Sequence, residues 1–553
     1  MKDYFSNDCI LLAWERYIRC NQKEAKDYLG IKAFGSNLEE NINRLSTKLL
    51  NNTFKPSRPP KFFRPKPNGM QRTITILPVE DALVYQAVAN SIASNNYESL
   101  TKNNAFIFGS VLNEEVKEGI TLLNNEDAEF YFFKHYLSLY KEFSNKVNES
   151  IELGLKFVLE TDITGFFDSI PHYNLLSVLS DEYKAEKNVL DLIGDCLNIW
   201  SGTNDGLTPG VGIPQSTEAS AFFANIILHN LDNILIETAL PYFRYMDDIR
   251  IFGDTQEELR ELLREIDNYL KRNALSLNSK KTLIEEIKIT NKDESYINFD
   301  FDSVDEIYDE NKTGNEFLEL IEQEGYSGTE ILINKENFKE EIDNLFQELE
   351  IIKDEFIKSL KLSKKIKANL GKKDIQRKFT SFSFKFRRIF KILKINEIEK
   401  NIDLEKDKVL EGLIYLLDEC YWNANQYCWT IELYNDVEYV KTELLKLADK
   451  YSSYEWVQHQ IYSCLAKSQV FSAYELRQIV KKLDLTSSWF AKKPIYMLLL
   501  KNCKNEQMKE SILHKVKKEN DFTLKRSVLD FSKLWSEKGI SKKDLLIALG
   551  IER

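Results

Sequence analysis

The chain has little glycine or proline, few histidines and no paired cysteines. Only 20 glycines and 11 prolines punctuate 553 residues. That scarcity disfavours turn-dense all-β architectures and leaves helix formers, Lys and Glu above all, to set the class. The seven cysteines (Cys9, Cys20, Cys196, Cys420, Cys428, Cys464 and Cys503) are scattered, odd in number and without a C-x-x-C pair. This excludes a disulfide framework and a cysteine zinc site, and predicts reduced thiols in a cytoplasmic protein. Five histidines are too dispersed for a histidine metal centre. No signal peptide is read after Met1-Lys2-Asp3, and no apolar run approaches bilayer-spanning length, so no membrane partner is expected. A surplus of positive charge is also missing. Proteins that grip long nucleic acid are usually basic overall, but the net charge here is −12, so any such grip must be local.

Two local basic regions are present. Between Thr53 and Thr75 lie Lys55, Arg58, Lys61, Arg64, Lys66 and Arg72, with no acid. Between Lys358 and Lys394 the only acid is Asp374, and Phe379, Phe382, Phe384, Phe386 and Phe390 sit among the charges. Interleaved aromatic and basic residues suit base stacking with phosphate neutralisation. An amphipathic element with an apolar face and a solvated cationic face fits the same pattern.

At 43% hydrophobic residues the chain is long enough for two to four domains. Residues 1–290 mix strands and helices, in α+β fashion. Phe157-Val158-Leu159 reads as a buried strand leading to Asp162. Thr255 and Glu258 form a capping-box pattern ahead of Leu259, Leu262, Leu263, Ile266 and Leu270 at helical spacing. Leu275 and Leu277 alternate with polar residues, as in a strand. From Asp293 to Glu319 Lys312 is the only base, which predicts an acidic linker over 291–335. Residues 336–553 read as all-α. Phe338, Ile342, Leu345, Phe346, Leu349, Ile352, Phe356 and Leu360 form one long amphipathic series. Shorter helices follow over about 407–421, 436–451, 454–468 and 472–483. Serial helices of this length suggest a solenoid-like helical-repeat domain of irregular period, and a plain bundle fits too.

The chemistry concentrates at two places. Phe243-Arg244-Tyr245-Met246-Asp247-Asp248-Ile249-Arg250-Ile251-Phe252 places an aspartate pair between two apolar strand-like runs, so a tight hairpin would carry both carboxylates at its tip. Leu159-Glu160-Thr161-Asp162-Ile163-Thr164-Gly165-Phe166-Phe167-Asp168 ends a buried strand in an acid. Phosphoryl transfer from a nucleoside triphosphate uses two Mg²⁺ ions about 4 Å apart, held by hard oxygen ligands. One strand-end aspartate beside a hairpin with two more supplies such a cluster. Singly, an Asp-Asp pair is usually a surface turn and a strand-end Asp usually a cap. Order and apolar flanks point to catalysis.

The chain resembles the reverse transcriptases, in particular those of bacterial group II introns, retrons and their relatives. Arg64-Pro65-Lys66-Pro67-Asn68-Gly69-Met70-Gln71-Arg72-Thr73-Ile74-Thr75-Ile76-Leu77-Pro78 looks like the family's fingers motif, with Asp81 and Gln86 where the family places an Asp and a Gln. Asn104-Ala105-Phe106-Ile107-Phe108-Gly109 resembles the next block. Gly210-Val211-Gly212-Ile213-Pro214-Gln215-Ser216 with Ala224-Asn225, and Leu277-Asn278-Ser279-Lys280-Lys281-Thr282, resemble two later ones. The resemblance implies a fingers and palm domain over 1–290, with an insertion at about 111–156. It implies Mg²⁺ (or Mn²⁺) held by Asp162, Asp247 and the Ile163 carbonyl, with Asp248 completing the acidic cluster. Lys66 and Arg72 would close on the triphosphate, Gln215 would contact the incoming nucleotide, and Phe167 would exclude a ribose 2′-hydroxyl. Lys281 is a candidate acid for the leaving pyrophosphate. Ordinary alternatives stand beside these roles: a solvated loop for Lys66 and Arg72, core packing for Phe167, a surface lysine for Lys281.

The chain departs from the family where Ser216 replaces the usual Gly after Pro-Gln. A side chain there would face the nucleotide or the template, and Ser216 is also a candidate N-cap of the next helix. The layout, polymerase half first and helices after, is similar to the abortive-infection and "unknown group" defence reverse transcriptases. That likeness implies antiphage DNA synthesis without a conventional template, self-priming on a tyrosine and homo-oligomers, with dNTPs and a DNA product as partners. Tyr415, Tyr421, Tyr427 and Tyr434 are priming candidates that nothing in the sequence ranks. A retron-type enzyme copying a bound non-coding RNA is the alternative, and an idle nucleic-acid-binding or phage-sensing scaffold a third. His459 and His514 lack an Arg at the spacing of the ribonuclease signature some relatives carry.

Overall fold

The computed structural model describes residues 1–20, 26–67, 69–201, 210–215, 217–287, 338–363, 405–434 and 438–521. It also describes 382, 383, 386, 387, 389–391, 394, 524–529 and 532. The expected acidic linker, Phe379, Phe384 and Ser216 lie outside these residues. Two compact units emerge. One holds residues 1–61 and the described chain from Thr73 to 287; the other holds Phe62–Arg72 with the described helices from Phe338 on.

In the first unit, helices α1 (Asn7–Arg19), α2 (Leu38–Leu50) and α3 (Val79–Asn95) pack together. Between the strands come α4 (Tyr136–Glu152), α5 (His172–Asp181), α6 (Lys187–Trp200) and α7 (Glu218–Glu237), and α8 (Gln256–Arg272) follows the hairpin. α7 is the core helix. Among the described residues it alone is long and apolar enough to cross a bilayer, and 72% of its most apolar window is buried inside the protein. The sequence reading saw no such run because Asn225, His229, Asn230 and Asp232 interrupt it.

The sheet is antiparallel, ordered β4 (Tyr242–Tyr245), β5 (Asp248–Gly253), β3 (Phe157–Asp162) and β6 (Leu283–Glu286). Side chains alternate across a strand. Leu159, Ile249 and Ile251 therefore enter the main core, while Val158 and Phe252 enter a second one with Phe108, Phe143, Val147 and Phe243. Phe143 and Val147 belong to α4, so the stretch read as an insertion builds the layer behind the hairpin. Thr255 caps α8 through the Glu258 amide at 3.3 Å, one of the two bonds of the capping-box pattern. The alternation at Leu275 and Leu277 is not a strand: only an isolated bridge joins Leu277 to Ile163, and the regular strand comes later, as β6.

In the second unit every described element after Phe338 is helical: α9 (Phe338–Ser363), α10 (Lys406–Glu419), α11 (Ala424–Leu433), α12 (Glu438–Lys450), α13 (Glu455–Ser468), α14 (Ala473–Leu485), α15 (Trp489–Asn502) and α16 (Glu506–Lys518). α11, α13 and α15 pack in a row, with α12 and α14 against its members. The inner helices bury most of their residues, polar ones such as Gln426, Gln458 and His459 included. α14 buries one stripe: Leu476, Ile479 and Leu483. Phe382, Phe386 and Phe390 are buried, and Phe386 packs so close to Gly412 that a Cβ there would lie 2.7 Å from its ring. Those three rings therefore stabilise a helical core and are not open for base stacking; burial of the apolar face decided between the two readings. Tyr427 and Tyr434 are buried as well, their hydroxyls bonded to Ser383 and to the Phe390 carbonyl.

Gly109 sits against the β4–β5 turn, where a Cβ would lie 2.3 Å from the Met246 nitrogen. Gly109→Ala must push the turn away. We expect a loss of about 2 kcal/mol or more, since neither partner is a flexible side-chain end, read as a lowered Tm in thermal denaturation.

Candidate active site

The site is built on one face of the sheet. Because the period of a strand is two, Val158, Glu160 and Asp162 share a face of β3, and Asp248, Arg250 and Phe252 share the matching face of β5. The register sets them directly opposite: Val158 with Phe252, Glu160 with Arg250, Asp162 with Asp248. The face thus grades from apolar to ion-paired to doubly acidic. Asp247 follows Met246 in the two-residue turn between β4 and β5, with Met246 at φ 54°. A bulky residue in that conformation is strained and must be held.

Arg244 holds it. Its side chain is 1% exposed and makes a two-point ion pair with the equally buried Asp232 of α7, Nε to Oδ1 at 2.7 Å and Nη2 to Oδ2 at 2.6 Å. Nη1 donates to the Met246 carbonyl at 2.7 Å and to Asn225 Oδ1 at 2.9 Å. Tyr242 donates its hydroxyl to Asp232. Asn225 also donates to the Gly109 carbonyl at 2.9 Å. The 106–108 segment runs along β4, with the Arg244 amide on the Phe106 carbonyl and the Phe108 amide on the Arg244 carbonyl. Sequence reasoning quoted Arg244 and Asn225 without roles and missed Asp232. A charge inside an apolar strand run was the available signal.

The acids are balanced by cations. Arg250 reaches Asp248 Oδ1 at 2.5 Å and Glu160 Oε1 at 3.3 Å. Lys281 Nζ lies 2.8 Å from Asp162 Oδ2. Asn278 ties the following loop to the strand end, donating its amide to the Asp162 carbonyl at 2.7 Å. The Thr164 amide bonds the Ser276 carbonyl, so the bridge between Ile163 and Leu277 leaves the Ile163 carbonyl uncommitted to Leu277. Burial, with Asp162 alongside, pushes the Asp247 carboxyl up to about 7. Burial pushes Asp248 up to about 6; Arg250 opposes this, and Glu160 and Asp162 add to it.

The 210–215 loop is fixed beside Phe167. Gly212 and Ile213 donate to the Ile170 and Phe167 carbonyls at 2.8 and 2.9 Å, and His172 Nε2 meets the Gly212 carbonyl at 2.7 Å. Phe167 packs its half-buried ring against the core. Gln215 lies at the end of this loop, one turn before α7. The N-cap of α7 is Thr217, whose hydroxyl accepts from the Ser220 amide at 3.1 Å. Lys61, which the sequence reading counted only as one more base, is buried beside Asp168. Burial pulls its ammonium down to about 8 against the pull of Asp168.

Lys66 and Arg72 belong to the hairpin of β1 (Lys61–Pro65) and β2 (Gln71–Thr75), whose residues 62–72 group with the helical unit. The Lys66 amide bonds the Met70 carbonyl at 2.7 Å, and Gly69 turns the tip at φ +82°. Arg72 buries its Nε without a hydrogen-bond partner among the described residues.

Three carboxylates in one corner suit a hard divalent cation. Among the described residues no three His, Cys, Asp or Glu side chains stand together in ligating geometry; Lys281 and Arg250 engage Asp162 and Asp248 instead. The unrelieved cost of charge on Asp247 marks where a cation would be welcomed.

Residues 64–305 match the family described as reverse transcriptase (RNA-dependent DNA polymerase). An "uncharacterized 91 kDa protein in cob intron" of Schizosaccharomyces pombe is 34% identical over 140 residues, which are 25% of this chain and 17% of that protein. Among solved structures, a truncated apo telomerase from Candida tropicalis aligns at TM-score 0.30 and 12% identity over 46% of this chain and 57% of that one. Telomerase from Candida albicans with a fragment of telomeric RNA aligns at 0.32 and 13% over 76% and 68%. The chain thus spans a small part of the one relative and little over half of the first telomerase.

A raised carboxyl pKa costs stability above the folded value and nothing below the unfolded one. Metal-free protein should therefore gain stability as pH falls from about 8 to about 5 through the Asp247 titration. Asp247→Asn should be more stable than wild type by at least about 1 kcal/mol at about pH 8, with the gap narrowing by about pH 5 and closing only below about pH 4. Melting curves in chelator at both pH values check this, and Mg²⁺ should raise the Tm of the wild type more than that of the variant.

Proposed function

We propose that this chain, whose residues 64–305 form a reverse transcriptase domain and so a nucleotidyltransferase domain of DNA polymerase type, adds deoxynucleotides in antiphage defence without a supplied template. The observation that carries the polymerase reading is the acid face: Asp162 opposite Asp248, with Asp247 raised beside them. When bound there, two Mg²⁺ or Mn²⁺ ions would activate the attacking hydroxyl and neutralise the pyrophosphate. Asp162, Asp247 and the Ile163 carbonyl are the ligands proposed, and Asp248 with Arg250 sets the charge of the corner. Lys281, at Asp162, would pass a proton to the pyrophosphate oxygen. Phe167 would meet a 2′-hydroxyl, Gln215 and Ser216 would line the nucleotide, and Lys66 and Arg72 would hold the triphosphate.

Ser216 after Gln215, the acidic net charge and the helical unit support synthesis without a template. The row of α11, α13 and α15 supports a repeat-like reading of that unit. Protein priming and assembly into homo-oligomers complete the proposal. The fingers-like motif 64–78 favours a second reading, in which a bound non-coding RNA is the template. A third, an idle nucleic-acid-binding scaffold, has no use for an uncompensated aspartate at Asp247.

Purified protein is incubated with Mg²⁺ and each labelled dNTP, with no template or primer, beside an Asp247→Ala/Asp248→Ala variant. DNA made by the wild type alone, and unaffected by RNase pretreatment, is expected. Loss of synthesis after RNase would transfer the case to the RNA-templated reading. No synthesis with any template would leave the scaffold. In the active enzyme, Phe167→Ala should raise ribonucleotide incorporation relative to deoxynucleotide about tenfold or more, measured from single-nucleotide kcat/KM values.

A further inference from the structure

We infer that helices α13 and α15 are the seat of the 62–72 hairpin, and that Phe62, stacked among their aromatic rings, is a positioning residue for Lys66 and Arg72. The inference rests on the polymerase reading above, in which those two side chains hold the triphosphate.

Two short strands form the hairpin's whole sheet, separate from the four-stranded one. An isolated hairpin of this size is marginal in water, so something else must order it. The second unit supplies that order. Phe62 is fully buried. Its ring lies 4.0 Å from Phe490 at an interplanar angle of 2°, and 5.6 Å from Trp456 at 6°. His459 stacks on Phe490 at 3.9 Å, and its Nδ1 meets the Phe490 carbonyl at 2.8 Å. The Arg64 guanidinium lies over Trp456 at 5.2 Å. The backbone is held too: the Phe63 amide donates to Glu455 Oε1 at 2.6 Å, and Ser488, the N-cap of α15, donates its hydroxyl to the same carboxylate. Burial pushes that carboxyl up, with Ser488 and Phe63 opposing. One acid thus joins the first turn of α13, the start of α15 and the hairpin strand.

The coupling has a lever. Lys66 lies four residues beyond Phe62, about 13 Å along an extended strand. A small tilt at the stack becomes a displacement of an ångström or more at the tip. Misplacement of that size costs a positioned charge most of its effect. Arg72, whose buried Nε has no hydrogen-bond partner among the described residues, is on the returning strand of the same lever.

The full-length enzyme is compared with Phe62→Ala, Trp456→Phe and Leu476→Ala. The last removes core volume from α14, which carries none of the stacked rings. Steady-state incorporation of one dNTP and hydrogen exchange at the Phe63 amide are measured for each. Phe62→Ala should raise KM for the dNTP about tenfold while kcat changes less than about twofold, with faster exchange at Phe63. Trp456→Phe keeps a ring in the stack and should stay within about twofold of wild type on both. Leu476→Ala should lower Tm without moving KM. An unchanged KM in Phe62→Ala, beside an active wild type, overturns the proposal and leaves the polymerase reading standing. An equal rise of KM in Leu476→Ala also overturns it, since the effect would then be one of general stability. A wild type that incorporates nothing sinks the polymerase reading and this proposal with it.

Discussion

The corner where the acids meet depends on one buried ion pair. Taking Arg244 and Asp232 out of water is costly, and attraction between them offsets that cost only with good geometry and every donor used. The geometry is good, and at least four of the five guanidinium N–H groups are used. The pair is two-pointed, Tyr242 adds a third bond to Asp232, and the remaining guanidinium nitrogen serves Asn225 and the Met246 carbonyl. The left-handed turn at Met246 is thereby referred to α7, a largely buried helix of its unit. Asn225 links the same node to Gly109. Turn, core helix and the segment beside β4 stand or shift together.

On that frame the charges are arranged for use more than for stability. Like charges opposite one another destabilise a sheet, yet Asp162 faces Asp248 and Asp247 follows in the turn. Arg250 and Lys281 relieve Asp248 and Asp162. The raised Asp247 shows that the relief is partial. Under the polymerase reading proposed above, cations would offset the repulsion that remains between these acids. The apolar end of the same face, Val158 against Phe252, secures the register on which the acid pairing depends.

Much of this was legible in the residues, and the limits are physical. The strand into Asp162 and the Asp-Asp hairpin announced themselves because apolar runs flank acids, and burial of one face then leaves little choice of register. The helices past residue 405 followed from their 3.6-residue pattern. Phe382, Phe386 and Phe390 were ambiguous because a buried stripe and a base-stacking stripe have the same composition. The core around Gly412 decided for burial. The cap of α7 is Thr217, a residue the sequence pattern offers no more strongly than its neighbours.

By itself the sequence determined the local pieces: which strands and helices form, which acids stand at strand ends, and which stretches carry charge. Those are short-range matters of period, capping and turn chemistry. Tertiary structure alone decided the partnerships. Arg244 with Asp232 is set by β4 crossing α7. Glu160 with Arg250 is set by antiparallel register. Phe62 with Trp456 and Phe490 joins residues about four hundred positions apart. No local preference encodes such pairs, because they exist only once packing has brought distant segments to one place and excluded water from between them.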